Sequence, residues 1–183
     1  MLYIMRHGKT EWNKRHKLQG RTDISLCEEG KEMAEKAAIQ YKDVHFDVCY
    51  SSPLSRALET AQIVLRNRDV PIITDDRLVE MSFGDYEGIE NSMSIPDCPI
   101  NILFTHPEKY DSSVGGAETF EVLFNRTGNF LKEVVEPQLK EGKDILIVGH
   151  GMMNISIVSQ IRNIPLEKFW SVSIEQCKLM ELL

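Results

Sequence analysis

Cysteine is scarce and scattered in this sequence. The 183-residue chain has four cysteines, with no Cys-x-x-Cys pair and no histidine at the spacing of a zinc site: Cys27, Cys49, Cys98 and Cys177. Disulfide-stapled domains and structural zinc sites depend on such clusters. We therefore expect a reduced chain in the cytoplasm, with no metal and no cofactor.

The sequence also lacks an apolar run of the roughly 18 residues that a membrane-spanning helix needs. Its first apolar stretch, residues 2–5, is interrupted by Arg6 and His7, which is unlike a signal peptide. These absences predict a protein that is neither anchored in a membrane nor exported.

Positive charge is in the minority. Lysine and arginine number 21 against 28 aspartates and glutamates, for a net charge of −7, which disfavours binding to nucleic acid. The first 21 residues are the exception, because they carry a net charge of +5 in an otherwise acidic chain. Such a short basic segment favours a local site for a small anion over a broad surface for a polyanion. The sequence makes no prediction of the oligomeric state.

Short apolar runs alternate with helical patterns along the chain, whose length suits a single domain over residues 1–183. The runs predict strands at 2–5, 47–51, 70–74 and 144–148, with two further β-like stretches at 170–175 and 178–182. Helical spacing predicts helices over 28–42, from Ser52 as N-cap and Pro53 as first residue, from 120 to near Pro137, and over 152–161. Residues 75–115 are irregular. The alternation predicts an α/β fold, a three-layer sandwich with a largely parallel central sheet flanked by helices.

Two histidines follow predicted strands in the same way, His7 before Gly8 and His150 before Gly151. Ligands of open α/β sheets bind at the carboxyl ends of the strands, where these histidines would lie. The pattern leaves open whether they share one crevice or stand at unrelated strand ends. The other three histidines, His16, His45 and His106, have no comparable context and are expected at the surface.

Two arginines suggest what such a crevice would bind. Arg6 precedes His7, and Arg56 lies one turn into the helix predicted to begin at Ser52. A guanidinium group is permanently charged, and its planar donors match the oxygens of a phosphate group. Taken singly, each arginine fits a surface residue or an ion-pair partner better, so the prediction of a phosphate cradle depends on their convergence near a helix N-terminus.

Four blocks of sequence resemble the histidine phosphatase superfamily, in the branch shared with cofactor-dependent phosphoglycerate mutases and of the broad-specificity phosphatase type. In chain order they are RHGKTEWN at 6–13 with LQGRTD at 18–23, SSPLSRALETA at 51–61, Glu80 with FGDYEG at 83–88, and Gly149-His150-Gly151. The resemblance implies a phosphoglycerate mutase-like sandwich. It also implies a metal-independent phosphomonoesterase that acts on a small phosphorylated metabolite through a phosphohistidine intermediate.

The resemblance assigns three catalytic residues. His7 would attack phosphorus, a protonated His150 would stabilise the charge that develops on the phosphoryl oxygens, and Glu80 would protonate the leaving alkoxide and then activate water. Acid phosphatases of the superfamily take their acid from an aspartate directly after the second histidine. Gly151 occupies that position here, which favours Glu80.

The resemblance also assigns substrate-binding residues that would surround the phosphoryl group: Arg6, Asn13, Gln19, Gly20 through its backbone, and Arg56. Residues 89–115 would form a lid-like insertion that selects the leaving group. Met152, Met153 and Asn154, after the second histidine, predict an apolar mouth. Ala117, inserted in a turn that resembles the family's Gly-Gly-Glu-Ser, leaves Glu118 without a predicted ligand role.

Two alternatives remain at this point. One is a cofactor-dependent phosphoglycerate mutase, which returns the phosphoryl group to its substrate; mutases of this branch are generally longer, and this chain ends soon after Ser173-Ile174-Glu175. The other is a catalytically inactive module that binds a phosphorylated ligand. Because every residue that the chemistry needs is present, the phosphatase is the preferred interpretation.

Overall fold

A computed structural model of the chain describes residues 1–110 and 114–183. In this part of the chain five strands form one sheet: β1 (Leu2–Arg6), β2 (Val48–Ser51), β3 (Ile72–Thr74), β4 (Ile145–Gly149) and β5 (Leu179–Glu181). Their order is β3-β2-β4-β1-β5, and every neighbouring pair is parallel except β1 with β5. The two central strands β1 and β4 are apolar almost throughout because helices cover both faces of the sheet.

Seven α-helices flank the sheet in the described residues: α1 (Glu11–Lys14), α2 (Glu28–Gln40), α3 (Ser55–Val64), α4 (Ile102–Thr105), α5 (Phe120–Phe130), α6 (Glu136–Lys140) and α7 (Gly151–Arg162). Alternate residues of β4 point to opposite faces. Leu146 and Val148 pack with α2 and α3, whereas Ile145 and Ile147 pack with α5 and α7. This arrangement confirms the predicted three-layer sandwich. No helix of the described residues has the length and apolarity to span a bilayer.

The irregular stretch predicted at 75–115 contains α4 and a series of 3₁₀ turns: Asp76–Leu78, Gly84–Tyr86, Ser92–Ser94, Pro99–Asn101 and Pro107–Lys109. Residues 111–113 of the predicted lid lie outside the described residues. The strand predicted at 170–175 is wrong. The 3₁₀ helix Leu166–Ser171 covers its first residues, and the edge of β1 is occupied by β5 instead of by the residues that follow this helix.

Two helix boundaries also differ from prediction. Helix α3 begins at Ser55 because the carboxylate of Asp23, far away in sequence, accepts hydrogen bonds from the backbone N–H (2.8 Å) and the hydroxyl (2.7 Å) of Ser55. The helix predicted to end near Pro137 continues through a π-helical turn, Leu131–Val135, into α6. Pro137 has no N–H to donate, and the wider π-helical turn directly before it is the kind of local adjustment that lets a helix continue past a missing hydrogen bond.

Candidate active site

Both histidines predicted at strand ends lie in one crevice. Arg6 and Gly149 are partners in the parallel register of β1 and β4, so the residue after each strand emerges at the same edge of the sheet. The backbone N–H of His7 donates to the carbonyl of Gly149 at 2.9 Å. The two imidazole rings are 5.2 Å apart between centroids. The two histidines therefore share one crevice instead of occupying separate regions.

The ring of His7 is oriented by its own loop. Its Nδ1 lies 2.6 Å from the carbonyl oxygen of Gly8. Since a carbonyl only accepts, Nδ1 carries the proton and Nε2 keeps its lone pair. Burial, followed by the charges of Arg56 and Arg6, lowers the pKa of His7 well below its usual value. The ring is thus a neutral base at pH 7 with an unprotonated nitrogen.

The ring of His150 is fully buried at the N-terminus of α7. Its Nε2 lies 2.8 Å from the hydroxyl of Ser52, and its Nδ1 has no hydrogen-bond partner in the described part of the chain. Burial first, then the charge of Arg56 and the His7 ring, lowers the pKa of His150 well below its usual value. His150 is neutral in the free protein, so the protonated form expected from the sequence requires a bound anion.

The two arginines lie beside these rings with unused donors. Arg56 is 1% exposed, and it donates from Nη1 to the carbonyl of Thr22 (2.9 Å) and from Nη2 to that of Gly20 (2.6 Å). Arg6 donates from Nη1 to the carbonyl of Ile174 at 3.4 Å. The buried Nε of each arginine has no partner among the described residues. Buried charged donors left unpaired are favourable sites for an anion.

Asn13 and Gln19 are held with their amide groups available to a ligand. The side-chain oxygen of Asn13 accepts from the backbone N–H of Thr10 (3.1 Å) and from Nε2 of Gln176 (3.0 Å). The side-chain oxygen of Gln19 accepts from the hydroxyl of Thr10 at 2.9 Å. Because both oxygens are engaged, the two NH₂ groups are left to donate at the cavity that these residues line.

Glu80 lies across the crevice from the strand ends. Its carboxylate accepts from the backbone N–H groups of Met81 (3.0 Å), Met152 (3.2 Å) and Met153 (2.9 Å), the last two in the first turn of α7. A carboxylate is favoured at a helix N-terminus. A Cβ added to Gly151 would lie 3.6 Å from both Cζ of Arg6 and Oε2 of Glu80. A side chain at position 151 would therefore occupy the space between the arginine and the acid.

Sequence reasoning missed Glu87, which joins two loops of the site. Its carboxylate accepts from the backbone N–H groups of Arg21 (3.0 Å), Thr22 (2.9 Å) and Phe83 (3.1 Å). Gly20 packs against this carboxylate with a φ of +54°, and an added Cβ would lie 2.2 Å from it, so only glycine fits there. Position 87 belongs to the third matching block, but nothing in the pattern identified the backbone groups that it binds.

Glu118 also contacts both of the loops that Glu87 joins. Its carboxylate pairs with Arg126 at 2.7 Å and with Arg21 at 3.2 Å, and it accepts from the backbone N–H of Ser82 at 3.3 Å. The carboxylate of Glu118, for which the sequence made no prediction of a ligand role, is thus engaged by two arginines. The sequence also missed Gln176, because its partner Asn13 lies near the other end of the chain.

The resulting cavity has a volume of about 440 Å³. The residues of the predicted site that line it are Arg6, His7, Asn13, Gln19, Gly20, Arg56 and Glu80, together with Gly151. Met152 also lines the cavity, but the prediction that Met153 and Asn154 form an apolar mouth with it is wrong. Both are fully buried, because the first turn of α7 packs them against β1 and β4. His16, His45 and His106 are exposed, as expected.

The sequence model of the histidine phosphatase superfamily (branch 1) matches residues 2–183. The chain belongs to this superfamily, which confirms the predicted family, fold class and enzyme class. It is 33% identical over 153 residues to the 2,3-bisphosphoglycerate-dependent phosphoglycerate mutase of Cytophaga hutchinsonii, covering 82% of this chain and 72% of that protein. It is 29% identical over 170 residues to phosphoserine phosphatase 1 of Hydrogenobacter thermophilus, covering 93% and 80%.

Solved structures resemble the whole fold. Bacillus stearothermophilus YhfR matches with a TM-score of 0.87 at 30% identity, over 97% of this chain and 88% of that chain. A phosphoserine phosphatase mutant from Entamoeba histolytica, solved in complex with phosphoserine, matches with a TM-score of 0.81 at 28% identity, over 97% and 87%. The chain is thus similar both to proteins named mutases and to proteins named phosphatases.

Proposed function

We propose that the protein is a metal-independent phosphomonoesterase that works through a phosphohistidine intermediate on a small phosphorylated metabolite. The observation that carries this proposal is the convergence of Arg6, His7 and Arg56 on one cavity, with unpaired donors on both arginines. The buried ring of His150 lies directly behind, 5.2 Å from the ring of His7 between centroids. The small phosphate esters named in the relatives, phosphoserine and phosphoglycerate, support the same class of substrate.

In the first step, the lone pair on Nε2 of His7 attacks phosphorus. An N–P bond forms, the ester P–O bond breaks, and Glu80 gives its proton to the leaving oxygen. The hydrogen bond from Nδ1 of His7 to Gly8 supports this role, since it leaves Nε2 unprotonated. The guanidinium groups of Arg6 and Arg56 bind the phosphoryl oxygens and stabilise their charge in the transition state.

In the second step, Glu80 takes a proton from water as the water oxygen attacks phosphorus. The N–P bond breaks, and the electron pair returns to Nε2 of His7 as inorganic phosphate forms. Asn13, Gln19 and the Gly20 backbone bind the phosphoryl oxygens through both steps. A bound phosphate dianion opposes the charges of the two arginines, so His150 gains a proton on binding and adds a further donor.

A mutase is the second candidate, and the identity to the Cytophaga hutchinsonii mutase favours it. The two reactions differ in the fate of the phosphoryl group. The phosphatase releases inorganic phosphate from 3-phosphoglycerate, whereas the mutase forms 2-phosphoglycerate. An inactive binding module does neither.

The test is turnover of p-nitrophenyl phosphate and a panel of metabolite phosphates in the presence of EDTA. We expect activity to survive EDTA and to fall by about 10³-fold or more in His7→Asn, as when an attacking residue is removed. The matched control is His45→Asn, which changes an exposed histidine outside the site and is expected to match the wild type.

A covalent intermediate gives an independent readout. Brief incubation with a labelled phosphate ester and a quench in alkali should leave one acid-labile, alkali-stable phosphoryl group on the wild type and on His45→Asn, and none on His7→Asn. Absence of turnover across the panel, or activity that persists in His7→Asn, would refute the proposal.

A further inference from the structure

A second set of residues that line the cavity is apolar and largely aromatic. These residues are Phe83, Phe104, Met152, Ile155, Trp170 and Val172. These residues come from four separate parts of the chain: the loop after Glu80, α4, α7, and the 3₁₀ helix Leu166–Ser171 with the residue that follows it. Phe104 belongs to the segment that the sequence predicted to select the leaving group.

Three rings form a continuous wall. The centroids of Phe83 and Phe104 are 6.0 Å apart, and those of Phe104 and Trp170 are 5.6 Å apart. The indole N–H of Trp170 donates to the carbonyl of Leu103 at 2.9 Å, and Phe169 packs edge-on against its ring. These contacts fix the indole, yet the residue stays 39% exposed. A fixed, exposed aromatic face can pack against a flat ligand with little loss of conformational entropy.

Beyond the groups assigned to the phosphate and its hydrolysis, the cavity has little to offer a charged leaving group. In the described part of the chain, the other charged residue that lines the cavity is Lys17, whose ammonium group lies over the ring of Trp12, 5.3 Å from the centroid. A carboxylate is best bound by paired donors, and an ammonium group needs an acid. Glu80, the acid that lines the cavity, already accepts three backbone N–H groups.

We propose that the leaving group of the natural substrate is an uncharged alcohol that carries an aromatic ring. The inference rests on the proposed function and names its substrate class. The wall of Phe83, Phe104 and Trp170 would stack on the ring while the arginines hold the phosphate. Carboxylated esters such as 3-phosphoglycerate and phosphoserine would be poorer substrates, because their charged groups would be desolvated against this wall without partners.

The test compares kcat/KM for esters of primary alcohols: 2-naphthylmethyl phosphate, cyclohexylmethyl phosphate, phosphoserine and glycerol 3-phosphate. We expect 2-naphthylmethyl phosphate to exceed phosphoserine and glycerol 3-phosphate by about tenfold or more, a factor typical of one well-filled apolar subsite. Cyclohexylmethyl phosphate, which is apolar but not aromatic, should fall between. Equal values, or a preference for phosphoserine, would overturn the inference while the phosphatase assignment stands.

Variants of the wall residues test whether the preference for an aromatic leaving group depends on these rings. Trp170→Ala and Phe104→Ala should each lower the ratio of kcat/KM for 2-naphthylmethyl phosphate to that for glycerol 3-phosphate by about tenfold. Trp170→Leu keeps apolar volume in case the alanine variant is poorly folded, and should lower the ratio less. Val122→Ala, at an exposed position of α5 outside the cavity, is the matched control and should leave the ratio unchanged. An unchanged ratio in all three wall variants contradicts the inference.

Binding separates this inference from the proposed function. Calorimetry with two phosphonates that cannot be hydrolysed, 2-naphthylmethylphosphonate and 3-phosphonopropionate, should show tighter binding of the first by about tenfold. If no ester is turned over but this preference holds, the phosphatase proposal fails and the aromatic subsite stands. If neither turnover nor the binding preference is seen, both fail.

Discussion

The side-chain Nε2 of Gln176 lies 3.0 Å from Oδ1 of Asn13 and 3.4 Å from the carbonyl oxygen of Gly8. One amide thus connects the segment before β5 to the loop of His7. It also fixes which end of the Asn13 amide faces the cavity, since Oδ1 is occupied and the NH₂ group is left for a ligand.

We expect Gln176→Leu to lower kcat/KM for phosphate esters by about tenfold, the value of one hydrogen bond, because Thr10 is then left as the partner that orients the Asn13 side-chain oxygen. The effect should vanish when Asn13→Ala is already present, as a double-mutant cycle would show. Gln62→Leu, at an exposed position of α3, is the control. Additive losses in the double variant would mean that Gln176 acts elsewhere.

Stability should depend on pH through the two buried histidines. Burial and the neighbouring arginines lower the pKa of His7 and of His150 well below the usual value near 6.5, the value they regain on unfolding. Below pH 6.5 the unfolded chain therefore binds protons that the folded chain does not. The stabilisation is complete above that pH and declines as pH falls, by up to about 2.7 kcal/mol per pH unit for two such groups.

Urea unfolding between pH 7.5 and 5 would measure this slope. The variant with both His7→Asn and His150→Gln should show a shallower slope, and His45→Asn should follow the wild type. Saturating inorganic phosphate should also flatten the wild-type slope, because a bound dianion raises both pKa values. Parallel curves for the wild type and the double variant would contradict this account.

The shared crevice could be predicted from the sequence because its geometry follows from short-range rules. An apolar run predicts a buried strand, the residue after the run lies at the strand's carboxyl end, and parallel neighbours bring those ends together. His7 and His150 meet for this reason, through the pairing of Arg6 with Gly149. The matching blocks then added Glu80 and the amides, which no periodicity identifies.

The features that the sequence did not reveal depend on partners far away in the chain. The N-terminus of α3 is set by Asp23, so Ser52, the local candidate for the cap, is left to contact His150. The strand expected at 170–175 has the right alternation, with Val172 and Ile174 buried, but β5 already pairs with the edge of β1. The alternation of apolar residues correctly predicted that these two side chains are buried. It could not show whether a neighbouring strand was available to form hydrogen bonds with them.

The cap at α3 can be tested directly. Asp23→Ala removes both hydrogen bonds to Ser55, and loss of an N-cap costs about 1 kcal/mol. Asp43→Ala, at an exposed position of the turn after α2, is the matched control with an expected change near zero. The free energy of unfolding in urea gives the comparison. Equal stability of the two variants would show that the remote cap contributes nothing.

Gly8 and Gly30 bring two stretches of backbone into direct contact. A Cβ on Gly8 would lie 2.5 Å from the carbonyl oxygen of Gly30, and one on Gly30 would lie 2.0 Å from that of Lys9. Neither clash can be relieved by moving a flexible side chain. Gly8→Ala must therefore push the loop of His7 away from α2, and overpacking of this kind costs about 1–3 kcal/mol.

Because the carbonyl oxygen of Gly8 also accepts the hydrogen bond from Nδ1 of His7, the same shift misplaces the nucleophile. We expect Gly8→Ala to lower kcat/KM by about 10²-fold, the effect of an error near 1 Å in the position of a reacting group. Gly128→Ala is the control: its Cβ meets the end of the Gln160 side chain, which can move, and alanine favours the helix. If Gly8→Ala retains wild-type activity and stability, the loop is not held by this contact, and the orientation of His7 must come from the Gly8 carbonyl alone.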